Sequence, residues 1–169
     1  GVFKSPARRQ TRAALVTADT ADARIVGKHN WQRKVTTPIG GNIDADRLIV
    51  GETVNSAGNW SGYPPHKHDV KKGNEAPYEE IYFFMVKPSK GFGVQIIYTS
   101  KNDRNPLNEI YMLRDGDAVV IPRGYHPVAA GAGYQLAYFW GLAGNERKYA
   151  AWSDDPDHAW VRDCEAIIK

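Results

Sequence analysis

Four residues of this 169-residue chain are of metal-binding types and lie where strands could bring them together: His66, His68, Glu80 and His126. In a strand, residues two apart share a face. The stretch "SGYPPHKHD" (61–69) therefore presents His66 and His68 to one side and turns Lys67 away. Two imidazoles on the inside of a barrel make poor core filler, because each ring needs both a donor and an acceptor partner. A missing partner costs about 1–3 kcal/mol. An isolated His-x-His is more often a surface or hydrogen-bonded pair, so its meaning depends on what stands beside it. Downstream, "YEEIYFFMV" (78–86) begins an apolar strand with two carboxylates. If Tyr82 and Phe84 face inward, Glu80 does too, and Glu79 faces out. Further on, "RDGDAVVIPRGYHPV" (114–128) places His126 just after a Gly-strand-Pro-x-Gly turn, where its simplest role is to cap that turn. Taken together, three imidazoles and one carboxylate suit Zn, Mn, Fe, Co or Ni.

The remaining sequence must supply a scaffold for such a site. Its 42% hydrophobic and 24% charged content is that of one globular domain. A net charge of +3 is too small to argue for nucleic acid, and the basic start "KSPARRQTR" reads as a solvated tail. No apolar run is long enough to cross a membrane, and no charged-then-apolar leader stands at the start. The single cysteine, Cys164, excludes an internal disulfide and a cysteine-based zinc site, and fits a cytoplasmic setting. Residues 1–23 show no sustained period and are expected to form an arm or linker with at most a short helix. Val-, Ile-, Tyr- and Phe-rich runs at 47–54, 79–86, 91–99, 108–113, 117–122, 126–130 and 134–143 alternate with Gly/Pro/Asn turns. Only the tail "DDPDHAWVRDCEAIIK" reads as helical, with Asp154 or Asp155 as N-cap and Pro156 at the first helical position. The pattern indicates an all-β sandwich or barrel.

At these residues the sequence resembles the cupin superfamily. "GYPPHKHD…EEIYFF" corresponds to its Gly, His-x-His and Glu motif, and "GDAVVIPRGYH" to its G-x5-P-x-G and His motif. The long gap from His68 to Glu80, and the single residue Tyr125 between Gly124 and His126, narrow the resemblance. With "NWSGYPPHKHD", "PRGYHPV" and "GYQLAYFWGLAG", the chain resembles the 5-deoxy-glucuronate isomerases of myo-inositol catabolism over roughly residues 24–160. The resemblance implies a cupin double-stranded β-helix, a jelly-roll-like barrel with a short C-terminal helix. It implies a single cupin domain over 24–169, similar to the C-terminal, metal-bearing half of a two-cupin chain.

The implied activity is an aldose–ketose isomerisation of 5-deoxy-D-glucuronate to 5-dehydro-2-deoxy-D-gluconate. It would need one divalent metal, Zn or Mn before Fe, Co or Ni, on His66, His68, Glu80 and His126. Tyr82 would shuttle a proton between sugar oxygens, Gln95 would contact substrate or support the site, and Arg123 would meet the uronate carboxylate, with Lys67 as the second cation in line. Among the aromatics near these motifs, Trp60, Tyr63, Tyr125 and Trp140, one or two are expected to line the sugar pocket. The expected partner is a small uronate sugar, with neither nucleic acid nor membrane, and a homo-oligomer remains open. The competing readings are another metal-dependent cupin, such as a uronate isomerase or a dioxygenase, and a non-catalytic sugar-binding cupin.

Overall fold

Alternating burial on long antiparallel strands builds the interior. The computed structural model describes residues 1–168. Its strands are β1 (Asp22–Val26), β2 (Arg33–Ile39), β3 (Leu48–Asn55), β4 (Trp60–Ser61), β5 (His66–Lys67) and β6 (Glu79–Lys87). They continue as β7 (Gly93–Tyr98), β8 (Asn108–Leu113), β9 (Ala118–Ile121), β10 (Val128–Ala130), β11 (Gln135–Ala143) and β12 (Ser153–Asp154). The helix α1 (Val161–Ile167) follows. A six-stranded sheet in the order β1-β2-β3-β11-β6-β9 faces a four-stranded sheet in the order β4-β10-β7-β8, and the ribbon β12-β5 adds a third, two-stranded piece. This is the all-β barrel expected from the alternation of apolar runs and turns.

Strand β6 shows how the interior is set. Glu80, Tyr82, Phe84 and Val86 are buried, while Glu79, Ile81 and Phe83 are exposed. Its neighbour β11 pairs Tyr138 with Phe84, Trp140 with Tyr82 and Leu142 with Glu80. Ile49, Ile97, Leu113, Leu136 and Val128 complete a core between the two sheets. The seven apolar runs correspond to β3, β6, β7, β8, β9, β10 and β11, with ends shifted by a residue or two.

The other five strands lie where no apolar run stands, and β1 and β2 are the longest of them. The segment "RKVTTPI" becomes β2 although it carries two cations and a proline. Its inward positions, Arg33, Val35 and Thr37, alternate with the exposed Lys34, and Pro38 falls at a register shift between Thr36 and Ile39. Strand β1 then pairs with β2 at the sheet edge. Before it, residues 1–21 form neither helix nor strand. Phe3 lies directly over Gly141, where a Cβ would come within 2.4 Å of its ring. Arg8 pairs with Asp46 at 2.9 Å.

The helix is shorter than the tail suggests, and neither aspartate caps it. Asp154 is drawn into the ladder opposite His66, and the Asp155 amide donates to the Pro65 carbonyl at 2.7 Å. The Asp155 carboxylate accepts from the Tyr98 hydroxyl at 2.5 Å and the Asp157 amide at 3.0 Å. Residues 156–160 are turns, and α1 starts after Trp160 with no side-chain cap.

Gly51 sits opposite Trp140 in the β3–β11 ladder, and a Cβ there would lie 2.1 Å from the indole. Gly51→Ala is expected to displace that indole and destabilise the fold by about 1–3 kcal/mol, as read by chemical denaturation.

Candidate metal centre and its cavity

Three chain segments converge on one carboxylate oxygen. The Nε2 of His68 lies 3.0 Å from Glu80 Oε2, and the Nε2 of His126 lies 3.2 Å from the same atom. With metal–ligand bonds of about 2.1 Å, neighbouring donors on one ion stand about 3.0–3.4 Å apart. The ligand atoms of His66, His68 and His126 all fall within 4.8 Å of one another. Glu80 stands at that spacing from His68 and His126, and the three imidazoles are gathered close enough to converge on one ion with small adjustments.

Each donor is aimed from outside the cluster. Glu80 is fixed by β6 between Leu142 and Ile121. His126 donates from Nδ1 to the Gly124 carbonyl at 2.8 Å, which leaves Nε2 with a lone pair pointing toward Glu80. That nitrogen is buried and has no hydrogen-bond partner. A lone pair held against a carboxylate oxygen is repulsive, and a cation between them removes both faults. Gly124 adopts φ +88°, and a Cβ there would press within 2.5 Å of the Tyr98 carbonyl, so the Pro-x-Gly turn requires glycine. Its amide donates to Asp69 Oδ2 at 2.7 Å, tying the His126 turn to the segment after His68. Lys67, turned away from the cluster, bonds Glu75 at 2.9 Å, and Glu75 also accepts the Asp69 and Val70 amides. His66 is held by the β5–β12 ribbon and packs against Trp152 and His126, with ring centroids 5.4 and 4.9 Å away.

The electrostatics suit cation binding. Burial and the neighbouring imidazoles of His126 and His68 hold His66 well below the usual histidine range. Burial lowers His126 as well. At His68 burial acts the same way but is outweighed by the Glu80 carboxylate, which raises it. Burial pushes the Glu80 carboxyl up, yet His68 and His126 more than compensate and hold it below the usual carboxylate range. His66 and His126 held neutral beside an ionised Glu80 suit a metal, and at His68 a cation would take the place of the proton that Glu80 favours.

The cluster opens on a cavity of about 320 Å³, within the ~300–1,000 Å³ typical of small-molecule sites. His66, His68, Glu80 and Tyr82 line it on one side, with Tyr138 and Trp140 from β11. Residues 148–152, a loop with no strand or helix signal of its own, contribute a wall ending in Trp152. Trp140 is the one lining residue among the four aromatics singled out from the sequence.

Two of the expected substrate residues lie elsewhere. Arg123 bonds Asp103 at 2.8 Å and the Asn105 carbonyl, and is not among the cavity residues. Its tight turn spends the guanidinium on the neighbouring 103–105 loop. Gln95 neither lines the cavity nor faces solvent. It is fully buried, and its amide nitrogen donates to the carbonyls of His126 and Pro127 at 3.0 and 3.2 Å. A lone polar residue in an apolar strand here anchors the backbone that carries a histidine. The cavity's cations come instead from unassigned segments: Arg24, Arg33, Lys148 and Arg162.

With this geometry in view, comparison with known proteins is decisive. The model of the KduI/IolB family matches residues 1–161. The chain belongs to the KduI/IolB family. It is 36% identical over 169 residues to the 5-deoxy-glucuronate isomerase of Geobacillus kaustophilus, covering 99% of this chain and 60% of that protein. It is 33% identical over 159 residues to the 5-deoxy-glucuronate isomerase of Bacillus subtilis, covering 93% of this chain and 57% of that protein. This KduI/IolB chain therefore spans about 60% of the length of the curated relatives it matches. Among solved structures, an IolB-like protein from Salmonella typhimurium superposes with a TM-score of 0.87 at 35% identity, covering 93% of this chain and 59% of that one. The polyketide cyclase RemF from Streptomyces resistomycificus shares the fold, with a TM-score of 0.56 at 21% identity over 88% of this chain and 92% of its own. The KduI/IolB chain has the cupin barrel that its paired sequence motifs imply.

If the cluster holds an ion, Glu80→Gln removes its one charged donor. Bound metal, measured by elemental analysis after gel filtration, is expected to fall from about one per chain to under about a tenth. A chelator should lower the melting temperature of the unsubstituted protein and leave that of the variant nearly unchanged.

Proposed function

We propose that this chain carries the metal-dependent aldose–ketose isomerisation of 5-deoxy-D-glucuronate to 5-dehydro-2-deoxy-D-gluconate. The observation that supports this best is the convergence of His68, His126 and Glu80, with His66 beside them, at a cavity lined by His66, His68 and Glu80. Membership of a family whose curated relatives are named 5-deoxy-glucuronate isomerase supplies the substrate. An ion held by His66, His68, Glu80 and His126 would act as a Lewis acid on the sugar's carbonyl and hydroxyl oxygens, and Zn or Mn suits these donors. The unpaired Cys164 fits a cytoplasmic setting.

The isomerisation moves hydrogen from C2 to C1 and a proton from one oxygen to the other. Tyr82 lines the cavity two residues along β6 from Glu80, on the same face. Burial, and then the Glu80 charge, push its phenol well above the usual tyrosine range, so it enters the reaction protonated. A protonated phenol in a site screened from water can hand a proton to one sugar oxygen and recover one from the other. Tyr138 stands against Tyr82, with ring centroids 4.6 Å apart, and donates its own hydroxyl to Ser61 at 2.9 Å. That contact holds the Tyr82 ring in place. Glu80 is the only carboxylate among the described cavity residues, which concentrates proton handling on Tyr82.

The test is to incubate the metal-loaded protein with 5-deoxy-D-glucuronate in deuterium oxide and follow both ketose formation and deuterium at the transferred position. Chelator-sensitive ketose formation is expected, and its absence would sink the reading. Tyr82→Phe should lower kcat by about 10²–10⁴-fold while leaving metal content unchanged.

A further inference from the structure

Of the four cations around the cavity, three are already engaged. Arg24 is paired with Asp22 and lies over the Tyr149 ring, with its guanidinium carbon 5.7 Å from the centroid. Arg162 grips Asp154 through two nitrogens, and Lys148 bonds the Asn74 side chain. Arg33 differs. Its Nη1 donates to the carbonyls of Trp31 and Tyr63, at 3.0 and 3.2 Å. Its Nη2 and Nε make no hydrogen bond among the described residues.

The position of Arg33 is built rather than incidental. It opens β2 between Val26 and Asn55, and strand parity sends it inward beside Val35, which packs on the core. Both carbonyl contacts fix the guanidinium plane and leave its other edge on the cavity. Glu165 is the nearest candidate counter-ion, but its carboxylate is bonded to the Trp31 indole at 2.8 Å. Burial strips water from the guanidinium, and its charge is felt by His66 across the cavity. A guanidinium stays charged in proteins, so a partly dehydrated one with a free edge is a ready carboxylate receptor.

We propose that the free edge of Arg33 binds the carboxylate of the sugar substrate, selecting uronates over neutral sugars. This rests on the isomerase reading and adds the second anchor: the metal cluster takes the carbonyl end and Arg33 the acid end. A ligand gripped at both ends lies extended along the wall that carries Tyr82.

Arg33→Met and Arg33→Lys test it in the metal-loaded protein, with melting temperature and bound metal as controls on folding. Two readouts are needed. One is kcat/KM for the uronate against its uncharged analogue with a hydroxymethyl group in place of the carboxylate. The other is binding of D-glucarate, a dicarboxylate that cannot isomerise, followed by quenching of Trp140 and Trp152, which line the cavity. Arg33→Met should weaken glucarate binding and uronate turnover about 100-fold. Turnover of the neutral sugar should change by less than about twofold, and Arg33→Lys should recover part of the loss, since it keeps the charge but not the fork. Three outcomes overturn the proposal: glucarate bound equally with and without Arg33, no glucarate binding by the unsubstituted protein, or equal loss on both sugars. If neither sugar turns over in the unsubstituted protein, the isomerase reading fails, and the glucarate titration still decides Arg33 by itself. Should Arg33→Met fail to fold, Arg33→Lys and the unsubstituted protein carry the same comparison.

Discussion

A carboxylate on the inner face of a barrel strand has to be compensated, and much of this molecule is arranged around that need at Glu80. Leaving an ionised group in a dry interior costs several kcal/mol. The strand cannot turn the charge outward without turning Tyr82 and Phe84 outward too. Compensation therefore comes from other segments: His68 bonds that oxygen, and His126 brings a second nitrogen to it where a cation would sit between them. Each histidine is in turn disciplined by a contact outside the cluster: Gly124 orients His126, and Asp69 joins the two segments. Gln95 braces the carbonyl side of the His126 turn from β7, the strand paired with β10.

The cavity has walls of two kinds. On the β11 side most polar groups are bonded: Tyr138 and the Asn55 amide nitrogen share the Ser61 hydroxyl at 2.9 Å, the Trp140 indole donates to Thr53 at 3.0 Å, and Asn55 Oδ1 is left without a partner. Side chains tied in this way are restricted in rotamer and give the site its dimensions. The other wall is the 148–152 loop, with Ala150 in the left-handed region at φ +61°. Rigid chemistry on one side and an irregular segment on the other is how binding sites on β scaffolds commonly divide their work.

Legibility in the sequence followed periodicity. Strand β6 announced its buried face through Tyr82 and Phe84, and Glu80 inherited that face by parity alone. His66 and His68 were readable from their spacing, and His126 from the Gly-Pro-Gly punctuation before it. Arg33 was hidden because its strand interleaves cations, threonines and a proline, so its period of two carries almost no hydropathy contrast. Arg123 misled for the opposite reason: nearness in sequence to His126 says nothing about direction once a tight turn intervenes. The tail misled because Asp154 and Asp155 have the chemistry of helix caps. Their backbone was claimed by the segment carrying His66, a competition that only tertiary structure decides.

The two-residue ribbon between β5 and β12 has a consequence for how the chain comes together. It joins position 66 to position 154, so the His66 ring is placed by a pairing distant along the chain, as is that of β3 with β11. Contacts this distant along the chain form late, because loop closure must be met before they contribute. The candidate ligand set is thus complete only once such distant pairings are in place, and a partly folded chain lacks it. A metal taken up at this centre would then be captured late in folding rather than at its start.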